Sequence, residues 1–98
     1  MSFTEFEKSL ANEAHPPASL SGPPRALWLD AKGDWPGAHA QAQVDEGNAR
    51  ASAWVHAYLH RKEGDEANAA YWYTRAGRPT ATGEMAAEWR EIAQELLK

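Results

Sequence analysis

Two histidines, His56 and His60, are spaced four residues apart in the segment SAWVHAYLHRKEG. On a helix this spacing places both imidazoles on one side, where they could share a metal ion, and Glu63 follows one turn later. A zinc-protease motif needs Glu after the first histidine, where this chain has Ala57, and the sequence shows no third ligand. One hypothesis is therefore a small metal-binding protein or enzyme using His56 and His60. The alternative is an ordinary solvated helix face.

Aromatic and basic side chains share the same predicted helix: Trp54, Tyr58, Arg61 and Lys62. Stacking by the rings and charge-assisted hydrogen bonds from the cations could hold an acidic or C-terminal peptide. The alternative is that both aromatic residues belong to the core, while Arg61 and Lys62 favour the helix C-terminus, where the helix dipole attracts cations.

Composition excludes several classes of function. The chain has no cysteine, so disulfides, zinc–thiolate sites and thiol catalysis are absent. A net charge of −4 argues against a nucleic-acid partner. No apolar run approaches the ~18 residues of a membrane span, and the N-terminus does not resemble a signal peptide, so we expect a cytoplasmic protein without a membrane partner. No nucleophile elbow or phosphate loop occurs, so we expect no cofactor and do not favour an enzyme.

Apolar periodicity indicates an all-α chain of five to six helices in a single domain, residues 1–98. The pattern predicts helices over 3–13, 24–32, 35–45, 50–63 and 66–76, and a sixth that Thr80 or Thr82 caps and that runs to the C-terminus. The Pro-rich residues 15–24 are expected to form a linker or strap. Trp72 and Trp89 lie at the centres of apolar stripes, so we predict that they anchor the core.

Helix ends can be assigned from local signals. Ser2 and Glu5 have the spacing of a capping box, in which each satisfies the other's backbone N–H. Gly33-Asp34 and Gly64-Asp65 each combine a residue that tolerates the left-handed helix end with an N-cap for the following helix. Such short turns predict antiparallel helix pairs. Gly47-Asn48 is expected to close the third helix.

The two Gly-Asp turns also form a repeat. Their glycines are 31 residues apart, and each copy has an Ala seven residues before the Gly and another five after it. The second copy continues with Tyr73, Ala76 and Pro79. Over residues 26–79 this pattern resembles tetratricopeptide or Sel1-like repeats. The resemblance implies antiparallel helical hairpins flanked by capping helices, with Trp54, Tyr58, Arg61 and Lys62 facing a concave groove.

Three functional hypotheses remain open. The favoured one is a non-catalytic protein-interaction domain that binds a protein or peptide partner through its helical hairpins. The second is the metal-binding protein or enzyme built on His56 and His60. The third is a structural protomer that associates with itself through its Trp-rich faces.

Overall fold

The computed structural model describes residues 1–44 and 49–98, and these residues form helices and connecting segments without a strand. The helices are α1 (Phe3–Asn12), α2 (Gly22–Ala31), α3 (Trp35–Val44), α4 (Ala49–Lys62), α5 (Glu66–Ala76) and α6 (Met85–Leu96). The predicted all-α class is confirmed. The predicted turn at Gly47-Asn48 lies outside the described residues. None of the described helices is long and apolar enough to cross a membrane.

The two Gly-Asp turns have the same geometry. Gly33 and Gly64 have φ values of +86° and +90°, a conformation that only glycine adopts without strain. In each turn the Asp backbone N–H donates to the carbonyl five residues earlier, and both bonds measure 2.9 Å. Both Asp carboxylates then accept a backbone N–H three residues later, as predicted for N-caps. Each helix end is therefore determined by its own local sequence.

The first and last helices begin differently from each other. The predicted capping box is confirmed, since the Ser2 and Glu5 side chains each accept the other's backbone N–H. The predicted Thr caps of α6 are wrong, because its N-cap is Glu84. Arg61 donates to the carbonyl of Gly83, which lies outside the helical ladder and so remains available. A distant helix thus interacts with the backbone just before α6.

The helix α4 lies at the centre of the molecule. It contacts α2, α3, α5 and α6, and every residue from 51 to 60 is buried. The alternative interpretation of His56 and His60 as part of a solvated helix face is therefore wrong: these residues are 4% and 6% exposed. Periodicity located the apolar stripe, but it did not show that neighbouring helices would also cover the opposite side.

The helix α1 packs across α2 and α6. Phe6 is fully buried, with its ring centroid 5.7 Å from that of Trp89. Trp28 donates its indole N–H to the Ser9 hydroxyl at 2.9 Å. The prediction that Trp72 and Trp89 are core anchors is only partly right, because both are half-buried against the core, whereas Trp28 is fully buried.

Candidate metal centre

Three imidazoles meet between α3 and α4. His39 extends from α3 towards His56 and His60 of α4, and one ring nitrogen from each lies within 4.8 Å of the others. The Nε2 atoms of His39 and His56 are 2.9 Å apart. The His56 and His60 rings are stacked with centroids 5.3 Å apart, as expected for residues one helical turn apart. The cluster therefore joins α3, the second helix of the first predicted repeat, to α4, the first helix of the second predicted repeat.

The sequence around each histidine favours this meeting. His56 and His60 share one side of α4 because four residues make about one helical turn. Ala38 and Ala53, on the same two helices, are small and buried, and α3 contacts α4. The i, i+4 spacing was correctly recognised from the sequence, but the burial of both rings was not.

Two tryptophans hold the histidine rings in place. Trp35 stacks on His39 with centroids 4.9 Å apart, and Trp72 stacks on His56 at 4.0 Å. The Trp35 indole N–H also donates to the Leu59 carbonyl at 2.9 Å, which fixes that ring against α4. Two of the three imidazoles are thus restrained before any ion arrives, so ordering them adds little to the cost of binding.

The environment favours uncharged imidazoles. Burial, followed by the proximity of His39 and His60, lowers the pKa of His56 to about 4. Burial also lowers the pKa of His39, with a further contribution from His60. Desolvation acts in this direction because it penalises the protonated ring. Since a metal binds the lone pair of neutral imidazole, both rings are in the ligand-competent form at neutral pH.

Hydrogen bonds determine which nitrogens carry protons. Two Nε2 lone pairs cannot face each other at 2.9 Å, so His39 and His56 share either a proton or a cation. The His60 Nδ1 donates to Glu63 Oε1 at 2.9 Å, which leaves the lone pair of His60 on Nε2. His60 and the accepting ring of the His39–His56 pair therefore offer an Nε2 lone pair to an ion, and the donating ring offers its own once its proton is on Nδ1.

The donor set selects a class of metal. Imidazole suits zinc, copper, iron and nickel, whereas calcium and magnesium require oxygen ligands. Zinc–nitrogen bonds of about 2.0–2.1 Å place tetrahedral ligand nitrogens about 3.4 Å apart. The 2.9 Å pair would open and the longest separation, up to 4.8 Å, would close to reach that distance. Reaching that distance would require the imidazole rings to rotate within their stacking contacts.

A cavity of about 470 Å³ borders the cluster on the α5 side. Its wall includes the His56 ring, the Trp72 indole and the Arg75 side chain, and it is partly open to solvent. The Arg75 guanidinium lies 5.3 Å from the Trp72 ring centroid. Solvent in this cavity therefore approaches one side of the His56 ring.

The predicted partner-binding residues lie elsewhere on α4. The Trp54 and Tyr58 rings are buried in the core, in agreement with the alternative interpretation of these two residues. Arg61 pairs with Glu88 at 2.8 Å, and Lys62 pairs with Asp30 at 3.0 Å. The structure thus gives all four side chains contacts within the chain. Their role in binding a partner stays a prediction.

His39 is the member of the histidine cluster that sequence reasoning missed. It lies in α3, whose apolar pattern is weak, and no short motif connects it to His56. The one usable signal was the repeat itself, because adjacent helices of such a stack pack side by side and can combine their histidines.

Comparisons with protein-family models, with curated proteins and with solved structures found no match.

Proposed function

We propose that this chain is a small metal-binding protein in which His39, His56 and His60 bind one divalent transition-metal ion, with zinc as the reference case. The observation that carries the proposal is the convergence of three imidazole nitrogens within 4.8 Å. The histidines at positions 56 and 60 are those of the sequence hypothesis, and His39 provides the third ligand that the hypothesis lacked.

Hydrogen bonds hold the three histidine rings together in the absence of a metal ion. The contact between His39 and His56, together with the contact between His60 and Glu63, satisfies ring nitrogens that burial would otherwise leave unpaired. An incoming ion would take the place of the proton between the first two rings, and the ring that loses its Nε2 proton would take one up from solvent at Nδ1 and so remain neutral. Such a site is ordered before it binds, and this supports affinity because little side-chain freedom remains to be lost.

Binding of an ion would cross-link the two halves of the molecule. His39 belongs to the helix after the first Gly-Asp turn, and the other two ligands belong to the helix before the second. A domain of this size has a modest core, so a bond between helices contributes substantially to its stability. A ligand present at about 100 times its dissociation constant adds about 2.7 kcal/mol.

The number of ligands also bears on chemistry. Structural zinc sites usually have four protein ligands, whereas catalytic sites have three and keep a position for water or substrate. Three histidines leave a tetrahedral ion with one further position, which water would take. The proposal therefore covers a binding protein and a hydrolytic or hydrating enzyme, and the enzyme interpretation stays a prediction.

Calorimetric titration of the metal-free protein with Zn²⁺ tests the proposal. We expect one ion per chain and no heat from Mg²⁺. His39→Gln should weaken Zn²⁺ binding at least about 100-fold, or about 2.8 kcal/mol. The matched control is His15→Gln, because His15 is the exposed fourth histidine and lies outside the cluster. Equal affinities for the two variants, or no binding by the parent protein, would overturn the proposal.

The other two hypotheses stay predictions. A peptide using Arg61 and Lys62 would have to displace Glu88 and Asp30 from existing ion pairs. The repeat resemblance draws support from the matching geometry of the two Gly-Asp turns, and a TPR-like hairpin stack is compatible with a metal between its two units. Self-association is checked by measuring the mass in solution with and without Zn²⁺.

A further inference from the structure

We infer that Glu63 is a positioning residue of the proposed metal centre: its carboxylate holds the Nδ1 proton of His60 and so directs the Nε2 lone pair of that ring to the ion. The inference rests on the proposed metal-binding function. It assigns a role to a residue that the sequence presented only as a possible neighbour of the histidines.

The geometry restricts His60 in two ways. Its Nδ1 lies 2.9 Å from Glu63 Oε1, one turn further along the chain. Its ring is stacked on His56 and meets the Trp35 ring at a 67° angle, with centroids 6.0 Å apart. Aromatic packing restricts the plane of the ring, whereas the hydrogen bond decides which nitrogen faces Glu63. Packing alone would not distinguish the two edges of the imidazole.

The exposure of the two side chains is consistent with a buried ligand, His60, and a more exposed positioning carboxylate, Glu63. The His60 side chain is 8% exposed and that of Glu63 is 37% exposed. The carboxylate therefore keeps much of its hydration while it binds a buried ring, which avoids the cost of a fully buried charge. A carboxylate on the remote nitrogen of a ligand imidazole fixes its tautomer and makes the metal-binding nitrogen more basic.

A competing assignment uses the same atoms. His60, Glu63 and Asp65 also have ligand atoms within 4.8 Å of one another, which would suit a second cation. The Asp65 carboxylate, however, already accepts the backbone N–H of Asn68 as the N-cap of α5. Asp65 and Glu63 are exposed and hydrated, so they gain little by leaving water for an ion. We therefore expect one ion per chain, with Glu63 outside its coordination shell.

The test uses Co²⁺ absorption spectra and Zn²⁺ competition titrations on the full chain. Glu63→Ala should weaken binding about 10–100-fold, the range found when such partners are removed from ligand histidines. Glu63→Gln should recover part of the affinity, because its amide oxygen still accepts the Nδ1 proton. Glu66→Gln is the matched control: it removes the same charge from a nearby exposed position and should stay within about twofold.

Two further readouts separate positioning from folding. The melting temperature of the metal-free protein should be nearly unchanged in Glu63→Gln and Glu66→Gln. It should fall modestly in Glu63→Ala, which leaves the buried Nδ1–H of His60 without its acceptor. The visible Co²⁺ bands should change in Glu63→Ala and not in Glu66→Gln, since only the former frees the His60 ring.

Four outcomes would overturn the inference. Unchanged affinity in Glu63→Ala would show that packing alone orients His60. Two ions per parent chain, with one lost in Glu63→Ala, would make Glu63 a ligand of a second site. Absence of metal binding by the parent chain would overturn the proposed function itself. Loss of binding in His39→Gln together with parent-like Glu63→Ala would overturn only the positioning role.

Discussion

Single residues in this protein show how charges are accommodated in a small core. Asp30 is 3% exposed and accepts hydrogen bonds from the Tyr58 hydroxyl and the Lys62 ammonium, each at 3.0 Å. Glu88 is 6% exposed and accepts from Tyr73 and Arg61. Burial and the neighbouring carboxylate raise the pKa of each tyrosine, so both remain hydroxyl donors. Each buried carboxylate is thus paired with a cation and a hydroxyl group.

Removing Glu88 tests this pairing. Glu88→Ala leaves the mostly buried Arg61 without its counter-ion and the Tyr73 hydroxyl without its acceptor. The expected loss is about 3–5 kcal/mol in the free energy of unfolding, measured by urea denaturation. The control is Glu95→Ala, which removes only an exposed pair with Lys98 and should cost below about 1 kcal/mol. Similar losses in the two variants would mean that Glu88 is not held as described.

His56 should make the stability of the metal-free protein depend on pH. Its pKa falls from 6.5 in the unfolded chain to about 4 in the folded one. Between these values the unfolded state binds more protons, so the free energy of unfolding should decrease as pH falls through this window and should not depend on His56 above it. When the unfolded state binds one proton more than the folded state, the free energy of unfolding changes by about 1.36 kcal/mol per pH unit.

The measurement is a series of urea melts in chelator between pH 7 and 5. His56→Gln should show a shallower decrease than the parent, and the exposed His15→Gln should follow the parent. Parallel curves for the parent and His56→Gln would contradict the assigned burial effect, because carboxylate titration is common to both proteins.

Among the elements, the two Gly-Asp turns are the most locally determined. Gly64 has a φ of +90°, and a Cβ added there would meet no atom within 4 Å. Any cost of a side chain at this position is therefore backbone strain and not a steric clash. The same holds for Gly33, with a φ of +86°. The turns thus require glycine for its conformation alone.

Gly64→Ala should accordingly destabilise the protein by about 1–2 kcal/mol, the cost of the left-handed conformation for a residue with a Cβ. Gly83→Ala is the control, because a Cβ there also meets open space while its φ is not positive. That change should be neutral, or should stabilise the protein by up to about 1 kcal/mol, because alanine lowers the conformational entropy of the unfolded chain. Thermal melts of the two variants in parallel give the comparison. If they lost equal stability, backbone strain at Gly64 would not be the cause.

At the scale of the whole molecule, the terminal helices complete a core that the central helices cannot close alone. The buried cluster includes residues from every helix, from Phe6 in α1 to Ile92 in α6. The Phe3 and Phe6 rings of α1 both approach Trp89 of α6, at 6.4 and 5.7 Å between centroids. The two ends of the chain therefore pack on each other across α2.

Phe6→Ala tests this closure. Phe6 is fully buried, so its removal should cost about 3–5 kcal/mol by leaving a cavity beside Trp89. Phe3→Ala makes the same chemical change at a half-buried position and should cost clearly less. Denaturant melts followed by tryptophan fluorescence report both values. Equal costs would indicate that α1 does not insert Phe6 into the core as described.

The sequence by itself determined what depends on residues close along the chain. The all-α class, the helix positions, the Ser2 capping box and the turns at Gly33 and Gly64 all follow from spacing over a few residues, and the structure agrees with them. The start of α6 differed from the prediction: its N-cap is Glu84, and Arg61, more than twenty residues away, donates to the carbonyl of Gly83 just before it.

Only the tertiary structure decided what depends on which helices become neighbours. Periodicity gives one apolar side of a helix, but α4 is covered on all sides, which buries His56 and His60. His39 reaches them because α3 packs on α4, a contact that no local signal specifies. The pairing of Arg61 with Glu88 has the same origin. Side-chain chemistry was readable from the chain, but its assembly into a site required the helix packing.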